Sequence, residues 1–427
     1  MNQVNKIKTV IDLGETKIRT IVSEEKENSL RILAHCEVDS SGMLKNMITD
    51  QVILENKLIE CLRQTESQIG FPIYEATIII PSILVKQLSG IGEKSIQGRA
   101  RGINQRDIQK AEGNILYEDE SDDALVDLET NTLFYELDEK CYVNPPLGIR
   151  GRKLNIYTSK LSISKETNSL LKNIATKVGV TKLSFIPAQS AIPMGVLTEG
   201  ERELGAISLH IGTRLSTLSF VQYGQLLDTA TIPGGGFNLS NDLSIGLSLD
   251  KLVAEELKLS YGTTTLDIGS ADLEFEDNNG VLIKVDRVQM INLLKDRLTE
   301  ILTTAKTYIE AKGYDVMPPG GLVISGGSSK LDGLANLAQQ IFQCPVRIGI
   351  PRGVERIIAE INTPSWSTAV GALNCNSIPS GEEPKNLIHE LFNYLRIQQK
   401  RQPAKQVNHS TELQELKHQN GEVVLSK

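Results

Sequence analysis

The sequence predicts an α/β protein built from two similar halves, and three observations lead to this prediction. Each half opens with three consecutive strand-like runs that are separated by turn residues. The first hairpin of each half contains a glycine, and helical stretches and further strands follow it in both halves. Because the same order of elements occurs twice, we expect an internally duplicated fold rather than one wound sheet.

The elements of the first half follow from the spacing of apolar residues and from turn residues at their ends. Leu54, Leu58 and Leu62 recur at helical spacing, and Gly70 stands just beyond them as a helix stop. The predicted elements are, in order, strands at 8–13, 17–23 and 30–37, a helix at 44–68, a strand at 76–80, a strand at 153–163, a helix at 165–177 and a strand at 182–186.

The second half repeats this order. Its helical segments lead to Tyr261 and Gly262, and a strand and a helix follow later in the chain. The predicted elements are strands at 204–211, 215–223 and 225–232, then the helical segments, a strand at 322–325, a helix at 330–342 and a strand at 345–350.

Each half is interrupted by an insertion. The first insertion, 83–152, holds a basic stretch, an acidic stretch and a strand-like run at 132–137. The second, 263–285, is predicted as three short strands, and a long amphipathic helix over 286–312 follows it. The predicted division of the chain is 1–82 and 153–190 for the first lobe, 83–152 for an inserted small α+β subdomain, 191–236 and 314–377 for the second lobe, 237–313 for its upper subdomain and 378–427 for a C-terminal tail.

Composition excludes several classes of protein. The 427 residues carry a net charge of −8, which argues against nucleic-acid binding. The five cysteines are scattered without a CxxC pair, as is typical of reduced thiols in the cytosol, and the five histidines are too dispersed to predict a metal site. The first residues lack a basic run before an apolar stretch, so we expect no secretory signal. No run of about 20 apolar residues predicts a spanning helix.

The first candidate motif is the hairpin around Asp12 and Gly14. Its backbone N–H groups are predicted to point into a concavity that suits phosphate oxygens, with Thr16 and Lys17 completing the turn. Asp12, at a strand end, has the right chemistry to hold a water of a nucleotide-bound Mg²⁺. An ordinary turn is the alternative interpretation.

Two further motifs lie in the second half. Gly326, Gly327 and Ser328 stand between a strand and a helix. Glycines there allow the backbone to approach a flat ligand, and the start of a helix favours an anion. The alternative interpretation is a loop with a serine cap. The run 232–236 contains Gly235 and is either a loop or a second backbone cradle. Glu255 and Lys258 are one helical turn apart, so they can face the ligand side of the helix together. The alternative interpretation is a solvated charge pair.

In combination these motifs resemble the bacterial cell-division protein family FtsA, of the actin/Hsp70-type fold. DLGETK, IPGGGFNLSNDLSIGL, AEELKLSYG, VISGGSSKLDGL and STAVGAL occur in the family's order, and NPPLGIRGRKLNIYTSKL is similar to the segment that leaves its inserted subdomain. The resemblance covers residues 7–375. It implies a duplicated actin/Hsp70-like two-lobed fold, an ATP cleft, self-assembly into filaments, and binding to the tubulin-like protein FtsZ and to other division proteins.

The sequence departs from the family at the second phosphate loop. His210 stands in place of an acidic residue, and Arg214 replaces a small one in the run after Gly212 and Thr213. Glu15 also replaces the usual small residue of the first loop. These departures argue against Mg²⁺ coordination and against more than weak ATP hydrolysis. The candidate nucleotide-binding residues remain Asp12, Gly14, Thr16, Lys17, Gly212, Thr213, Gly235, Glu255, Lys258, Gly326, Gly327 and Ser328.

The C-terminal segment predicts an amphipathic helix over 384–401. An apolar stripe recurs at helical spacing, with basic residues within and after it, a composition typical of helices at a membrane surface. The resemblance implies such an anchor, which would place the protein in the cytoplasm and peripherally on the inner face of the cell membrane. A helix docked on its own lobe or on a partner is the alternative. The stripe consists of Leu387, Ile388, Leu391, Phe392 and Leu395.

Three functional hypotheses follow. The first is an FtsA-like adaptor that binds nucleotide and links the division ring to the membrane. The second is an actin-fold ATPase enzyme or chaperone with real turnover, although no general base stands beside a phosphate loop. The third is an actin-like protein of pilus or secretion assembly. ATP is the predicted ligand in each case.

Overall fold

The computed structural model describes residues 6–26, 29–44, 47–118, 124–266, 272–277, 280–314 and 316–375. The predicted helix over 384–401 and its membrane stripe lie outside these residues, as does the acidic run 119–123. Within the described ranges, no helix is both long enough and apolar enough to cross a lipid bilayer.

The first lobe opens with a three-stranded antiparallel meander, a helix and a parallel strand. These elements are β1 (Lys6–Leu13), β2 (Lys17–Lys26), β3 (Ser29–Asp39), β4 (Met43–Leu44), β5 (Met47–Ile48), α1 (Gln51–Ile69) and β6 (Glu75–Ile80). The helix starts later than the predicted residue 44. Asp50 caps it by accepting a hydrogen bond from the Ile53 N–H at 3.0 Å, and β4 and β5 pair as a short hairpin before it.

An inserted subdomain follows, with a five-stranded sheet of its own in the order β11-β10-β13-β7-β9. The predicted strand at 132–137 is the last part of a longer strand, because its partner β13 continues beside it. The elements are β7 (Lys86–Ser95), β8 (Arg101–Gly102), α2 (Gln105–Glu112), β9 (Leu116–Tyr117), β10 (Leu125–Leu137), β11 (Lys140–Tyr142), β12 (Arg150–Gly151) and β13 (Lys153–Ser164).

The chain then returns to the first sheet, whose order is β14-β6-β1-β2-β3. Strands β6 and β14 pair in parallel, and so do β1 and β6. The returning elements are α3 (Lys165–Lys177), β14 (Lys182–Pro187), α4 (Ala188–Val196) and α5 (Glu199–Leu204).

The second lobe repeats this topology in the sheet order β17-β16-β15-β20-β21. In both sheets the first strand lies in the centre, with its antiparallel hairpin partner on one side and a parallel strand on the other. The elements are β15 (Ala206–Ile211), β16 (Leu215–Gln222), β17 (Gln225–Pro233), α6 (Gly236–Leu247), α7 (Lys251–Tyr261), β18 (Leu273–Glu276), β19 (Leu282–Val285), α8 (Arg287–Ala311), β20 (Leu322–Ser325), α9 (Leu334–Phe342), β21 (Val346–Ile348) and α10 (Ser367–Cys375).

Two differences from the predicted elements concern the second lobe. Residues 327–330 form a 3₁₀ turn, so that α9 begins at Leu334 rather than at 330. The insertion predicted as three short strands contains two described strands, β18 and β19, while 267–271 and 278–279 lie outside the described residues.

Each lobe has its own apolar core beneath its sheet. In the first lobe, Leu54, Leu58 and Leu62 of α1 are buried against the sheet at the predicted helical spacing. In the second lobe, Leu294 and Leu298 of α8 belong to the equivalent buried cluster. Because the two cores are separate, a groove remains between the sheets, and the first hairpin of each lobe faces it.

Candidate functional site

A cleft of about 860 Å³ lies between the two lobes and is lined by residues from both of them. Most of the predicted nucleotide-binding residues line it, although they come from widely separated parts of the chain. They are Asp12, Gly14, Thr16, Lys17, Gly212, Thr213, Glu255, Lys258, Gly327 and Ser328.

The two hairpins that enter the cleft have the same construction. The Gly14 N–H donates to the Lys17 carbonyl at 3.1 Å, and the Gly212 N–H donates to the Leu215 carbonyl at the same distance. A Cβ atom at Gly14 would lie 2.6 Å from that carbonyl oxygen, and one at Gly212 would lie 2.9 Å from its counterpart. Both turns therefore require glycine for steric reasons.

The tips of the two hairpins carry free backbone donors. Within the described part of the chain, the amides of Glu15, Thr16, Thr213 and Arg214 have no hydrogen-bond acceptor. Successive free N–H groups in a tight turn form a concavity that binds anions. Since one such turn comes from each lobe, the cleft offers two facing sets of donors.

The tips also contact each other directly. The Thr16 and Thr213 hydroxyl oxygens are 3.2 Å apart, and Arg214 donates through Nε to the Glu15 carboxylate. The Arg214 guanidinium lies 3.5 Å from the centre of the Phe237 ring. The Glu15 side chain is 6% exposed, and its Oε2 has no partner among the described residues. Two of the three departures from the family's phosphate loops, Glu15 and Arg214, thus form an ion pair across the cleft.

Asp12 occupies the end of β1, and its partner across the hairpin is Arg19. Arg19 Nη1 lies 3.7 Å from Asp12 Oδ2, while Arg19 Nε donates to Glu37 at 2.7 Å. Burial raises the pKa of the Asp12 carboxyl, and the positive charge of Arg19 opposes this rise.

His210 occupies the equivalent position in the second lobe, where its cross-strand partner is Thr217. Burial, together with the charge of Arg19, lowers the pKa of His210 to about 4. Its Nδ1 lies 3.1 Å from the Ser325 hydroxyl oxygen. At neutral pH this side chain is therefore an uncharged imidazole where a carboxylate was expected from the resemblance.

These residues do not fit a Mg²⁺ ion. Mg²⁺ prefers oxygen ligands in octahedral geometry and keeps several of its bound waters. Proteins usually hold it through one or two carboxylates. Here Asp12 faces the Arg19 guanidinium, and neither His210 nor Thr217 supplies a carboxylate oxygen. Across the described ranges, no three His, Cys, Asp or Glu side chains are grouped closely enough to hold a metal.

The other wall of the cleft comes from α6, α7 and the turn before α9. Lys258 is buried, with Nζ 3.0 Å from the Gly236 carbonyl and 2.7 Å from Glu255 Oε2. Ser240 also donates to the same carboxylate oxygen. This pair is fixed by its surroundings, and the alternative of a solvated charge pair is wrong for Lys258. Exposed Leu252 and Leu259 add apolar surface beside it.

Two predicted residues, Gly235 and Gly326, are not among the cleft-lining residues. A Cβ at Gly326 would lie 2.3 Å from the Ile211 carbonyl oxygen, and one at Gly235 would lie 2.5 Å from the Gly212 carbonyl oxygen. Both glycines permit close backbone packing. A bulky residue at Gly326 would therefore collide with β15 instead of blocking the cleft.

The loop before α6 is also not a free backbone cradle. The Gly234, Gly236 and Phe237 amides donate to carbonyls of residues 212–214, and the Gly235 amide donates to Asn238 Oδ1. These amides hold the second hairpin in place instead of facing a ligand. The loop interpretation of this segment therefore agrees with its hydrogen bonds.

The sequence motifs missed several cleft residues. The register of the first hairpin, counted outward from Gly14, would have placed Arg19 opposite Asp12. For cleft residues that come together from distant parts of the chain, the sequence contains no comparable signal. The polar cleft residues that the sequence did not indicate are Arg19, Glu37, Asp39, Ser40, Ser82, Lys330, Ser365 and Thr368.

The duplicated sheets and the cleft between them define an actin-like fold, and comparison with solved structures confirms it. A structure of the PilM–PilN type IV pilus biogenesis complex matches with a TM-score of 0.61 at 15% identity, covering 88% of this chain and 99% of that one. MreB5 of Spiroplasma citri bound to AMPPNP matches with a TM-score of 0.50 at 12% identity, covering 87% and 96%. At these identities the likeness shows the fold alone.

Sequence comparison then confirms the particular resemblance predicted from the motifs. The family model described as "Cell division protein FtsA" matches residues 207–371. The Cell division protein FtsA of Pseudomonas aeruginosa is 26% identical over 383 residues, which cover 87% of this chain and 89% of that protein. That of Bacillus subtilis is 24% identical over 376 residues, covering 86% and 83%. The chain is thus similar to FtsA proteins over most of its length.

Proposed function

We propose that the protein is a cell-division adaptor of the FtsA type. It binds an adenine nucleotide in the cleft, assembles with copies of itself, and links an FtsZ-like tubulin homologue to the inner face of the cytoplasmic membrane. Its similarity to FtsA proteins over most of the chain supports the division role. The finer steps rest on the cleft and on the C-terminal sequence.

The observation that carries nucleotide binding is the pair of facing hairpin tips with free amides. Phosphate oxygens accept hydrogen bonds from such amides, and two tips can hold neighbouring phosphates of one chain. The adenosine end would lie against Gly327 and Ser328, with Glu255 and Lys258 near the ribose. MreB5, a structure of the same fold, is bound to AMPPNP in one crystal and to ADP in another.

Turnover of ATP is expected to be very slow or absent. Hydrolysis needs a group that orients or deprotonates water and a cation that neutralises the developing charge. His210 is uncharged and Thr217 shares its hydroxyl with Ser82, 2.7 Å away. The cleft therefore suits a nucleotide that acts as a bound signal, because neither His210 nor Thr217 supplies the carboxylate that an active ATPase or chaperone would use at these positions.

Self-assembly and membrane attachment complete the proposal. MamK, which has the same fold with a TM-score of 0.50, forms a double helical filament. A filament would place many C-terminal helices side by side, so that weak individual contacts with lipid add up. The basic residues of 384–401 would add attraction to acidic lipid.

Calorimetry with ATP and ADP tests the nucleotide site. We expect binding to the full-length protein and its loss in Lys258→Ala, because this ammonium fixes both Glu255 and the Gly236 carbonyl. Lys251→Ala, on an exposed position of the same helix, is the matched control and should bind like the unmodified protein. Absence of binding to the unmodified protein would refute this part of the proposal, and fast steady-state ATP hydrolysis would favour the enzyme hypothesis.

The pilus or secretion hypothesis is favoured by one observation, the TM-score of 0.61 with a PilM–PilN structure. The 15% identity of that match shows only the fold. Co-sedimentation with polymers of an FtsZ-like tubulin homologue distinguishes the two functions. We expect the protein to pellet with these polymers, and failure to do so would remove the division-ring link.

A further inference from the structure

Arg19 is held in the cleft by groups on several sides. Its Nε donates to Glu37 Oε2 at 2.7 Å, and its guanidinium carbon lies 5.5 Å from the centre of the Trp366 ring. Its Nη1 lies 3.7 Å from Asp12 Oδ2. The side chain is 14% exposed, so it is largely withdrawn from bulk water yet lines the cleft. Its position is therefore fixed before any ligand arrives.

The contacts of Arg19 leave most of its donors available. A guanidinium has five N–H donors in one plane. Within the described ranges Nε makes a hydrogen bond to Glu37, and Nη1 makes a longer ion pair with Asp12 at 3.7 Å. The remaining N–H groups form the planar fork that matches two oxygens of a phosphate. Arg19 is thus a preorganised cation with free donors in the cleft.

The same position is unfavourable for a divalent metal. An ion held through water on Asp12 would lie a few ångströms from the guanidinium, and like charges repel strongly in a partly buried site. The equivalent residue of the second lobe, His210, is an uncharged imidazole and adds no carboxylate. A metal ion would have to displace Arg19 from both carboxylates that it contacts, Asp12 and Glu37.

We propose that Arg19 is the resident cation of the cleft and binds the phosphates of a nucleoside di- or triphosphate in place of Mg²⁺. The inference rests on the nucleotide binding proposed above and specifies its chemistry. Asp12 then serves to orient Arg19 rather than to hold metal-bound water. The bound species is the metal-free nucleotide.

Calorimetry of the full-length protein with ADP and ATP, in Mg²⁺ and in EDTA, tests this inference. We expect the apparent dissociation constant to be larger in Mg²⁺ than in EDTA, because Mg²⁺ in solution competes for the metal-free nucleotide that the site binds. Electron paramagnetic resonance of Mn²⁺ provides a second readout: addition of protein and ATP should leave no Mn²⁺ signal that belongs to the protein complex. Tighter binding by on the order of tenfold in Mg²⁺ would overturn the inference while leaving nucleotide binding intact.

Substitutions of Arg19 make the test specific. Arg19→Gln should weaken binding in EDTA by about tenfold or more, since a charged hydrogen bond is lost, and should weaken it less in Mg²⁺ because Asp12 is freed. Arg19→Lys should retain part of the binding in EDTA. Arg31→Gln, an exposed site on β3, is the control for loss of one charge.

The outcomes remain distinguishable. Equal affinities of Arg19→Gln and the unmodified protein in EDTA would overturn the inference. The ratio of the affinities in Mg²⁺ and in EDTA is compared within each variant. A partial loss of folded protein affects both buffers equally and therefore does not change this ratio. If the unmodified protein binds neither nucleotide in either buffer, the proposed nucleotide function and this inference both fail.

Discussion

At the scale of single residues, Glu15 and Arg214 form an ion pair at the tips of the two hairpins. Each residue alone is unfavourable in a phosphate loop, because Glu15 adds a negative charge and Arg214 adds a bulky side chain. Together they form an ion pair between the lobes, backed by the Phe237 ring. A phosphate group would compete with the Glu15 carboxylate for the same guanidinium.

Replacing Glu15 with serine should therefore strengthen nucleotide binding. The change removes a negative charge from beside the phosphates and frees Arg214 to donate to them, so we expect affinity to rise by about tenfold. Calorimetry with ATP measures the effect. Glu118→Ser removes an equal charge from the inserted subdomain and should leave affinity unchanged. Weaker binding by Glu15→Ser would show that the pair supports the site instead of competing for it.

His210 gives the protein a pH dependence of stability with a definite sign. Its folded pKa of about 4 lies below the ordinary value of 6.5, so the unfolded chain binds the proton more readily. Stability should therefore fall as the pH drops from 6.5 to 4, by on the order of 3 kcal/mol from this residue. Urea unfolding of His210→Gln across this range should show a smaller loss than the unmodified protein. Equal slopes would contradict the buried, neutral imidazole.

At the scale of elements, helices α4 and α10 join the two lobes through glycine. A Cβ at Gly371 would lie 1.9 Å from the Ala191 carbonyl oxygen, and one at Gly195 would lie 2.0 Å from the Ser367 carbonyl oxygen. Both contacts are with backbone, which yields less readily than the end of a side chain. The two helices can approach this closely only because neither position carries a side chain.

Gly371→Ala should consequently destabilise the protein, by about 3 kcal/mol if the clash resembles other overpacked cores. Gly200→Ala is the matched control, since no atom lies within 4 Å of the added Cβ in the short helix α5. Alanine favours helix over glycine, so the control should be neutral or stabilised by up to about 1 kcal/mol. The midpoints of urea unfolding measure both changes. A neutral Gly371→Ala would mean that the helices pack less closely than described.

At the scale of the whole molecule, the proposed function requires a connection between the cleft, the partner proteins and the membrane. The stripe Leu387, Ile388, Leu391, Phe392 and Leu395 lies outside the described residues, so its role rests on sequence. Burial of large apolar side chains supplies about 1.5–3 kcal/mol each, and ordering the helix takes back part of this gain. One copy should therefore bind weakly, and several copies in a filament should bind stably.

Removal of residues 384–427 should abolish co-sedimentation with acidic liposomes while nucleotide binding continues. Phe392→Asp should have nearly the same effect, because it places a charge in the middle of the apolar stripe. Asn393→Asp adds the same charge one position away, off the stripe, and should retain most of the binding. If Phe392→Asp still sediments with liposomes but unfolds at a lower temperature, the helix is docked on the protein and the membrane role is wrong.

The sequence by itself determined the order of elements, because local signals are strong there. Helix α3 has the predicted bounds because Ser164 caps its first turn and Gly179 stands beyond its end. Glycine in each first hairpin predicted the two turns that face the cleft. The duplicated topology followed from these features, and most of the predicted nucleotide-binding residues line the cleft.

Only the tertiary structure decided what those residues do to one another. Glu15 and Arg214 are separated by 199 positions, and nothing local indicates that they pair. Gly235 and Gly326 carried a ligand-binding signal in the sequence, yet their missing side chains make room for neighbouring backbone. The distances between segments that meet only after folding decide these outcomes. They decide whether a charge opposes a ligand or is already neutralised, and whether a glycine faces a cleft or a strand.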